Sequence, residues 1–286
     1  MEMTDDEFRL FRDLVHRECG IYLKDSKKDF LRAKVEKLLA SRNMAGSFSY
    51  YKLVTSQREE LRAFLDAVTI NETYFFRNTP QFEMLREKVL PGLIERKRSE
   101  RNYCLGVWSA GCATGEEPYS IAMEILEAIP DSILWQIKII ASDISLKCLG
   151  QASIGAYPPD KLRDVPEKYS AKYFKQARPG GEQARSEELF EVKDFVKKVV
   201  AFDYHNLMHE NPISGVDIVF CRNVLIYFEP EEQKRVVERI LKALKPGGYL
   251  FLGHAESLFG IANGDFRFLY WNKGTAYQKV TDGRHG

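Results

Sequence analysis

Apolar positions recur along this chain in two rhythms, and the change between them divides it. Over residues 4–68 they fall at helical spacing. Thr4-Asp-Asp-Glu7 is a capping box, in which the threonine hydroxyl and the glutamate carboxylate each satisfy a free backbone N–H. Phe8, Phe11, Leu14 and Val15 come next on one helical face. A second helix is predicted over residues 26–41, with Phe30, Leu31, Val35, Leu38 and Leu39 on its buried side, and another ends near Val68. Pro80 begins a further helical stretch toward Leu93, and the polar run Arg98-Ser-Glu-Arg-Asn102 connects it to the strand that starts near Tyr103. These breaks predict three parts: a helical domain over 1–70, a linker and helix over 71–102, and an α/β domain over 103–286.

From Tyr103 onward, apolar runs of strand length alternate with amphipathic helices, which predicts a mostly parallel sheet. Strands are expected from Tyr103, over Trp135–Ile144, over Val196–Leu207, from Val216 and over Gly248–His254. Ser145–Gly150 and Pro230–Leu244 read as helices, the second stopped by Pro246-Gly-Gly. Phe266–Trp271 and Thr275–Val280, joined by Asn272-Lys-Gly274, read as a closing hairpin. One stretch, at about 170–195, obeys neither rhythm: it holds short β-like segments around the turn signal Pro179-Gly180-Gly181.

The most informative turn is Val107-Trp-Ser-Ala-Gly-Cys-Ala-Thr-Gly-Glu-Glu-Pro-Tyr-Ser-Ile121, where a strand passes into a helix through glycines. The spacing Gly111-x-x-x-Gly115 differs from the G-x-G-x-x-G of dinucleotide binders, and Glu116 and Glu117 stand where the helix begins. A pyrophosphate is repelled by acids there. A ligand with cationic and hydroxyl groups and no phosphate is favoured, and S-adenosylmethionine, with its sulfonium, ammonium and ribose diol, fits. An ordinary strand-to-helix turn with glutamate in its first helical turn carries the same pattern.

Asp143 ends the second strand, 28 residues beyond Gly115. An acid there holds ribose hydroxyls in doubly wound folds, although it also suits a cap for the next helix. Asp203, Asn206 and Leu207, at the end of the third strand, have the amide and apolar groups to frame an adenine. Arg222 and Asn223 interrupt the apolar run Val216–Phe228 and need polar partners, either a ligand or a neighbouring loop.

Composition narrows the class. The chain has 286 residues, 44% of them apolar, and a formal net charge of +1, which speaks against a globally basic nucleic-acid binder. It has no apolar run long enough to cross a membrane and no signal-peptide pattern at Met1-Glu-Met-Thr-Asp-Asp6, so a cytoplasmic location is expected. Cys19, Cys104, Cys112, Cys148 and Cys221 show no metal-binding spacing and read as reduced thiols. There is no G-x-S-x-G, no H-E-x-x-H and no P-loop, and no metal is expected.

Four strings together resemble the CheR family of chemotaxis protein methyltransferases, which esterify glutamates on chemoreceptors. They are Asn71-Glu-Thr-Tyr-Phe-Phe-Arg77, Trp108-Ser-Ala-Gly-Cys-Ala-Thr-Gly-Glu-Glu-Pro-Tyr-Ser120, Phe220-Cys-Arg-Asn-Val-Leu-Ile-Tyr-Phe228 and Lys245-Pro-Gly-Gly-Tyr-Leu-Phe-Leu-Gly-His-Ala-Glu-Ser257. The resemblance implies a class I, Rossmann-like S-adenosylmethionine-dependent methyltransferase domain, an N-terminal all-α domain and a small inserted antiparallel β subdomain. It places Asn71, Thr73 and Arg77 at the cofactor, with Arg77 near the reacting methyl. The expected cofactor set is then completed by Ala110, Gly111, Glu117, Asp143, Asn206, Leu207, Arg222, Asn223 and Val224. Arg77 and Tyr227 are the candidates for the walls of the transfer site, although Tyr227 also suits a core role. Phe75 and Phe76 suit core anchors.

The resemblance also implies a partner, the cytoplasmic domain of a methyl-accepting receptor, met by a basic N-terminal helix. Residues 24–42 hold seven lysines and arginines against three acids, a balance of +4, which a merely solvated face would also show. In some family members the β subdomain binds a receptor's C-terminal peptide as an added strand. The chemistry asks for few catalytic groups, since a glutamate with a pKa of about 4.3 is already ionised at neutral pH. Two rivals remain: a methyltransferase acting on another substrate such as RNA, and a non-catalytic S-adenosylmethionine-binding regulatory module.

Overall fold

A computed structural model of the chain describes residues 3–177, 188–262 and 264–280. The N-terminal layer is four helices, α1 (Asp5–Cys19), α2 (Lys28–Ser41), α3 (Ser47–Ser56) and α4 (Arg58–Val68). The capping box at Thr4 and Glu7 is present with both reciprocal bonds, and Gly20, at φ 73°, closes α1 in the left-handed conformation. Phe11, Tyr50 and Phe64 sit at the centre of this layer, with ring centroids 5.3 to 6.4 Å apart. Of the apolar stripe expected on α2, Leu31 and Val35 are buried, while Phe30, Leu38 and Leu39 are half-buried.

The connecting helix is longer than its sequence pattern implies. It runs as α5 (Thr79–Met84), a turn of π-helix (Leu85–Val89) and α6 (Leu90–Ser99), with Pro80 in the first turn. The remaining elements are β1 (Cys104–Ala110), α7 (Glu116–Ala128), β2 (Gln136–Asp143), α8 (Leu146–Ile154), β3 (Ala156–Tyr157), α9 (Glu167–Tyr173), β4 (Phe174–Ala177), β5 (Leu189–Val192), α10 (Asp194–Lys197), β6 (Val200–Tyr204), β7 (Val216–Cys221), α11 (Pro230–Ala243), β8 (Leu244–Leu252), β9 (Phe266–Trp271) and β10 (Gly274–Lys279).

Among the described residues, seven strands form one sheet in the order β6-β2-β1-β7-β8-β10-β9. The first five are mutually parallel, and β10 and β9 add the antiparallel hairpin. From β1 the chain winds outward through β2 to β6, then returns to lay β7 on the other side of β1, so the strand order reverses between β1 and β7. At such a reversal the connections leave in opposite directions and open a crevice beyond the carboxyl ends of the strands. β7 is buried along its whole length because both faces are covered. Ile218 and Phe220 pack with Phe82, Leu90 and Ile125 on one face, and Val219 and Cys221 pack with Val236, Val237 and Ile240 of α11 on the other.

Several sequence expectations shift. The strand expected from Val196 begins only at Val200, because Lys193 and Asp194 start a helical turn in which Lys197 and Lys198 donate to their carbonyls. The helix after Asp143 continues through Gly150 to Ile154 and is ended by Gly155 at φ 63°. Pro246-Gly-Gly does not cap α11: β8 already starts at Leu244, and residues 245–248 bulge between the pairs Val216–Leu244 and Ile218–Tyr249, which lets Lys245 reach Asp217 at 3.1 Å. The inserted antiparallel sheet has the order β3-β5-β4, so it recruits Ala156–Tyr157 from outside the expected 170–195, while the turn signal at 179–181 lies outside the described residues. Among the described residues, no helix is long and apolar enough to cross a membrane.

Candidate active site between the helical layer and the strand ends

A cleft with about 1150 Å³ of free space, partly open to solvent, lies at the strand reversal. Its floor comes from the carboxyl ends of four strands: Gly111 and Ala113 after β1, Asp143 at the end of β2 with Ile144 beyond it, His205 to Leu207 after β6, and Arg222 to Val224 after β7. The helical layer supplies Cys19, Ile21 and Leu23, with Val68 to Thr73 and Arg77, while Tyr227 closes the cleft from the loop before α11.

The turn after β1 folds tightly because three of its residues have positive φ: Gly111 at 77°, Ala113 at 47° and Gly115 at 95°. A Cβ on Gly111 would stand 2.5 Å from Val224 Cγ2, and one on Gly115 would stand 2.8 Å from Ala152 Cβ, so both glycines also answer a close approach. The N–H groups of Gly111 and Cys112 both donate to the Ser142 carbonyl, at 2.8 and 3.0 Å. They are therefore not free to cradle a phosphate, which agrees with the acids at this position.

Those two acids part company. Glu116 is fully buried away from the cleft, where it accepts from Thr114 Oγ1 at 2.6 Å and pairs with Lys161 at 3.0 Å. Glu117 faces the cleft, accepting from Ser109 Oγ at 2.8 Å and from Arg222 Nη1 at 3.2 Å. Burial pushes its carboxyl up, and the Arg222 guanidinium opposes that. Arg222 is itself enclosed: its other terminal nitrogen donates to the Arg77 carbonyl, and its guanidinium lies over the Phe82 ring at 5.5 Å. It holds Glu117 and the segment after α4 together.

Asp143 lines the cleft with 7% of its surface exposed. Its carboxylate accepts from the Ser145 N–H at 2.9 Å and the Ala113 N–H at 2.8 Å. Burial pushes its pKa up, and these backbone donors pull against it. Ser145, whose hydroxyl accepts from the Cys148 N–H, is the cap of α8, so capping does not account for the acid. A carboxylate has about four acceptor positions, which leaves capacity for two ligand hydroxyls.

Of the residues singled out by sequence, Asn71, Thr73, Arg77, Gly111, Glu117, Asp143, Asn206, Leu207, Arg222, Asn223, Val224 and Tyr227 all line this cleft. Ala110 does not; it is buried in the core just before the turn. Asp203 is exposed on β6 and accepts from the Tyr204 N–H, so the adenine frame read there shrinks to Asn206 and Leu207. Asn206 is also tied across the layers, donating to the Glu18 carbonyl at 2.7 Å and accepting from the Met208 N–H at 3.0 Å. Phe75 and Phe76 are buried core anchors. Burial pushes the Cys112 and Cys221 thiols well up, so neither is a thiolate nucleophile at neutral pH.

Sequence reasoning missed the apolar wall of Cys19, Ile21, Leu23 and Ile70, and it missed Glu256. The wall depends on how α1 docks, which no periodicity reports. It is pinned by the Tyr22 N–H donating to the Tyr227 carbonyl at 3.0 Å, by a β-bridge between Ile21 and Phe228, and by His16 beside Glu229 at 3.4 Å. Glu256 stands inside the string Lys245–Ser257, but nothing in that string says what its carboxylate meets.

A five-stranded parallel core with a reversed hairpin, and a cleft at its switch point that offers acids where dinucleotide folds offer free N–H groups, define a class I methyltransferase. The family model for the CheR methyltransferase S-adenosylmethionine-binding domain matches residues 71–274, and that for the CheR all-alpha domain matches residues 6–69. The chain belongs to the CheR methyltransferase family. It is 35% identical to chemotaxis protein methyltransferase 2 of Vibrio cholerae, over 99% of this chain and 96% of the relative. It is 37% identical to the chemotaxis protein methyltransferase of Vibrio parahaemolyticus, over 96% and 98%, and 33% identical to that of Borreliella burgdorferi, over 92% of each.

Proposed function

We propose that this protein works in the cytoplasm, transferring the methyl group of S-adenosylmethionine to glutamate side chains on the cytoplasmic part of chemoreceptors and so forming glutamyl methyl esters in chemotaxis adaptation. The observation that carries the reading is convergence: residues chosen from four strand ends and from the segment after Val68 line one cleft. The relatives' names supply the chemotactic setting.

The residues present suit the cofactor. Asp143 takes the ribose hydroxyls, Leu207 bounds the adenine, and Glu117 faces the cationic end, with no phosphate site to satisfy. When bound, S-adenosylmethionine supplies an electrophilic methyl on sulfur. The chain then has to place an already ionised carboxylate about 3–3.5 Å from it and in line, a form of catalysis by positioning. Arg77 and Tyr227 form that wall. The Arg77 terminal nitrogen donates to the Glu72 carbonyl at 2.8 Å and its guanidinium lies over Tyr74, which leaves further donors for a substrate carboxylate. Burial pushes the Tyr227 hydroxyl pKa up, so it stays protonated and can donate.

The basic segment meets the receptor. It begins at Lys24, one residue after Leu23 of the cleft wall. Three of its seven cations have acid partners, Lys28 with Asp5, Arg32 with Asp29 and Arg42 with Glu60, and Lys24, Lys27, Lys34 and Lys37 form no ion pair among the described residues. The outer edge of β4, which pairs only with β5 among the described residues, receives a receptor C-terminal peptide as an added strand. Tritiated methyl transfer to receptor-containing membranes tests the reading. Label should appear on the receptor and leave as methanol in alkali; label stable to alkali, or label on RNA, would overturn it.

A further inference from the structure

We propose that Glu256 is a positioning residue for methyl transfer: its carboxylate clasps the loop after β7 and thereby sets both cofactor affinity and turnover. This rests on reading the cleft as the S-adenosylmethionine site. One oxygen of Glu256 accepts from the Val224 N–H at 2.8 Å and the Ile226 N–H at 3.2 Å. The other accepts from the Asn223 N–H at 2.9 Å and the Gly253 N–H at 2.6 Å. All four donors are backbone groups, and no lysine, arginine or histidine pairs with Glu256 among the described residues. With the Arg222 guanidinium acting on it only from beyond ion-pair distance, a carboxylate whose direct partners are all N–H groups has a geometric task that an amide cannot take over, since the amide nitrogen would face donors.

What the clasp holds is the reacting side of the cleft. Asn223, Val224 and Ile226 all line it, and Tyr227 comes next in the chain. The loop lies between the end of β7 and a single 3₁₀ turn, so no strand ladder satisfies these donors, and Asn223 sits in the left-handed region at φ 59°. The clasp sets Val224 against Gly111, where its Cγ2 fills the space that a Cβ on the glycine would need. On its far side the same loop meets the helical layer, through the Tyr227 carbonyl and the Phe228 bridge to Ile21. Gly253 admits the carboxylate: a Cβ there would stand 2.7 Å from a Glu256 oxygen and 2.9 Å from the Asn223 nitrogen.

The test compares wild type, Glu256→Gln and Gly253→Ala by calorimetric titration with S-adenosylhomocysteine, by steady-state methylation kinetics and by thermal melting. Wild type is titrated first, and its failure to bind would sink the reading of the cleft rather than the clasp. With binding established, both variants should fold, bind about tenfold or more weakly, and lose kcat as well as affinity. Glu256→Asp, which keeps the charge but shortens the reach, should recover part of both. Wild-type Kd and kcat in Glu256→Gln would overturn the proposal. So would a lowered melting temperature with Kd and kcat unchanged, or the failure of both variants to fold, since each makes Glu256 a structural residue only.

Discussion

Glu7 in the helical layer and Asp143 at the end of β2 are both hydrogen-bonded carboxylates, yet their surroundings act on them with opposite sign. Hydrogen bonds from the Ser47 hydroxyl and the Thr4 backbone hold the Glu7 carboxyl below its usual range. Burial pushes Asp143 above its own, with the Ser145 and Ala113 N–H groups only partly offsetting it, and Glu117 behaves likewise. An acid with a depressed pKa stabilises the fold at neutral pH. An acid with a raised pKa costs stability there, because folding removes its charge from water without full compensation. Glu7 thus helps to hold the helical layer together, whereas Asp143 and Glu117 sit in the cleft at a cost in stability, where the proposed function gives them a ligand. In the cleft the enclosed charges, Asp143 and Arg222, come from the strand ends, whereas the helical side adds an apolar patch of Cys19, Ile21, Leu23 and Ile70 together with the more exposed Glu72 and Arg77.

The strand-end wall can be broken most severely at Glu117. The resemblance places it in the cofactor set, and its pairing with enclosed Arg222 adds a structural role. Glu117→Ala leaves a buried guanidinium without its acid and should cost about 3–5 kcal/mol of stability, read by chemical denaturation. A loss below about 1 kcal/mol would mean that Arg222 finds another partner or water.

The helical layer is tested at its basic face. Reversing Lys24, Lys27 and Lys34 to Glu should raise the receptor KM by about threefold to tenfold at low salt and flatten its salt dependence, because exposed charges are screened over about 8 Å in physiological salt. Cofactor affinity should not move. Wild-type receptor kinetics in this variant would reduce the face to solvated surface and shift recognition to the β3-β5-β4 sheet.

A smaller effect separates the two kinds of acid. The stability that Glu7 supplies is fully present above the unfolded carboxyl pKa of about 4.3 and is lost as pH falls through its lower folded value. Glu7→Gln should therefore be less stable than wild type at pH 7 and converge with it as the solution is acidified below that range, followed by thermal melting. Asp143 and Glu117 act the other way, their cost growing as pH rises from the unfolded pKa through the raised folded one. If the Glu7→Gln deficit were the same at pH 3 and pH 7, its depressed pKa would not be the source.

The legibility of the molecule divides along the same line. Strand ends were readable because an apolar run that stops at an acid or a glycine turn marks both the strand and its carboxyl end, as at Asp143 and Gly111. The capping box of α1 was readable because its chemistry spans only four positions. What escaped depends on contacts between distant segments: the docking of Cys19, Ile21 and Leu23, the diversion of Glu116 to Lys161, and the four donors on Glu256. Local pattern also misplaced β8, because a turn signal at Pro246-Gly-Gly is equally the chemistry of a bulge inside a strand.

Every functional role assigned to the cleft depends on its strand-end acids binding S-adenosylmethionine, and calorimetric titration of the cofactor into wild type, Asp143→Ala and Asp203→Asn decides the matter. Wild type should bind one equivalent, and Asp143→Ala should still fold, melt somewhat lower because the Ser145 and Ala113 N–H groups lose their acceptor, and bind with about 1.5–3 kcal/mol less free energy. Asp203→Asn, exposed on the same sheet but outside the cleft, should bind as wild type does. Undiminished binding by Asp143→Ala, or a loss in Asp203→Asn equal to it, would rule out the strand-end acids as the cofactor's ligands.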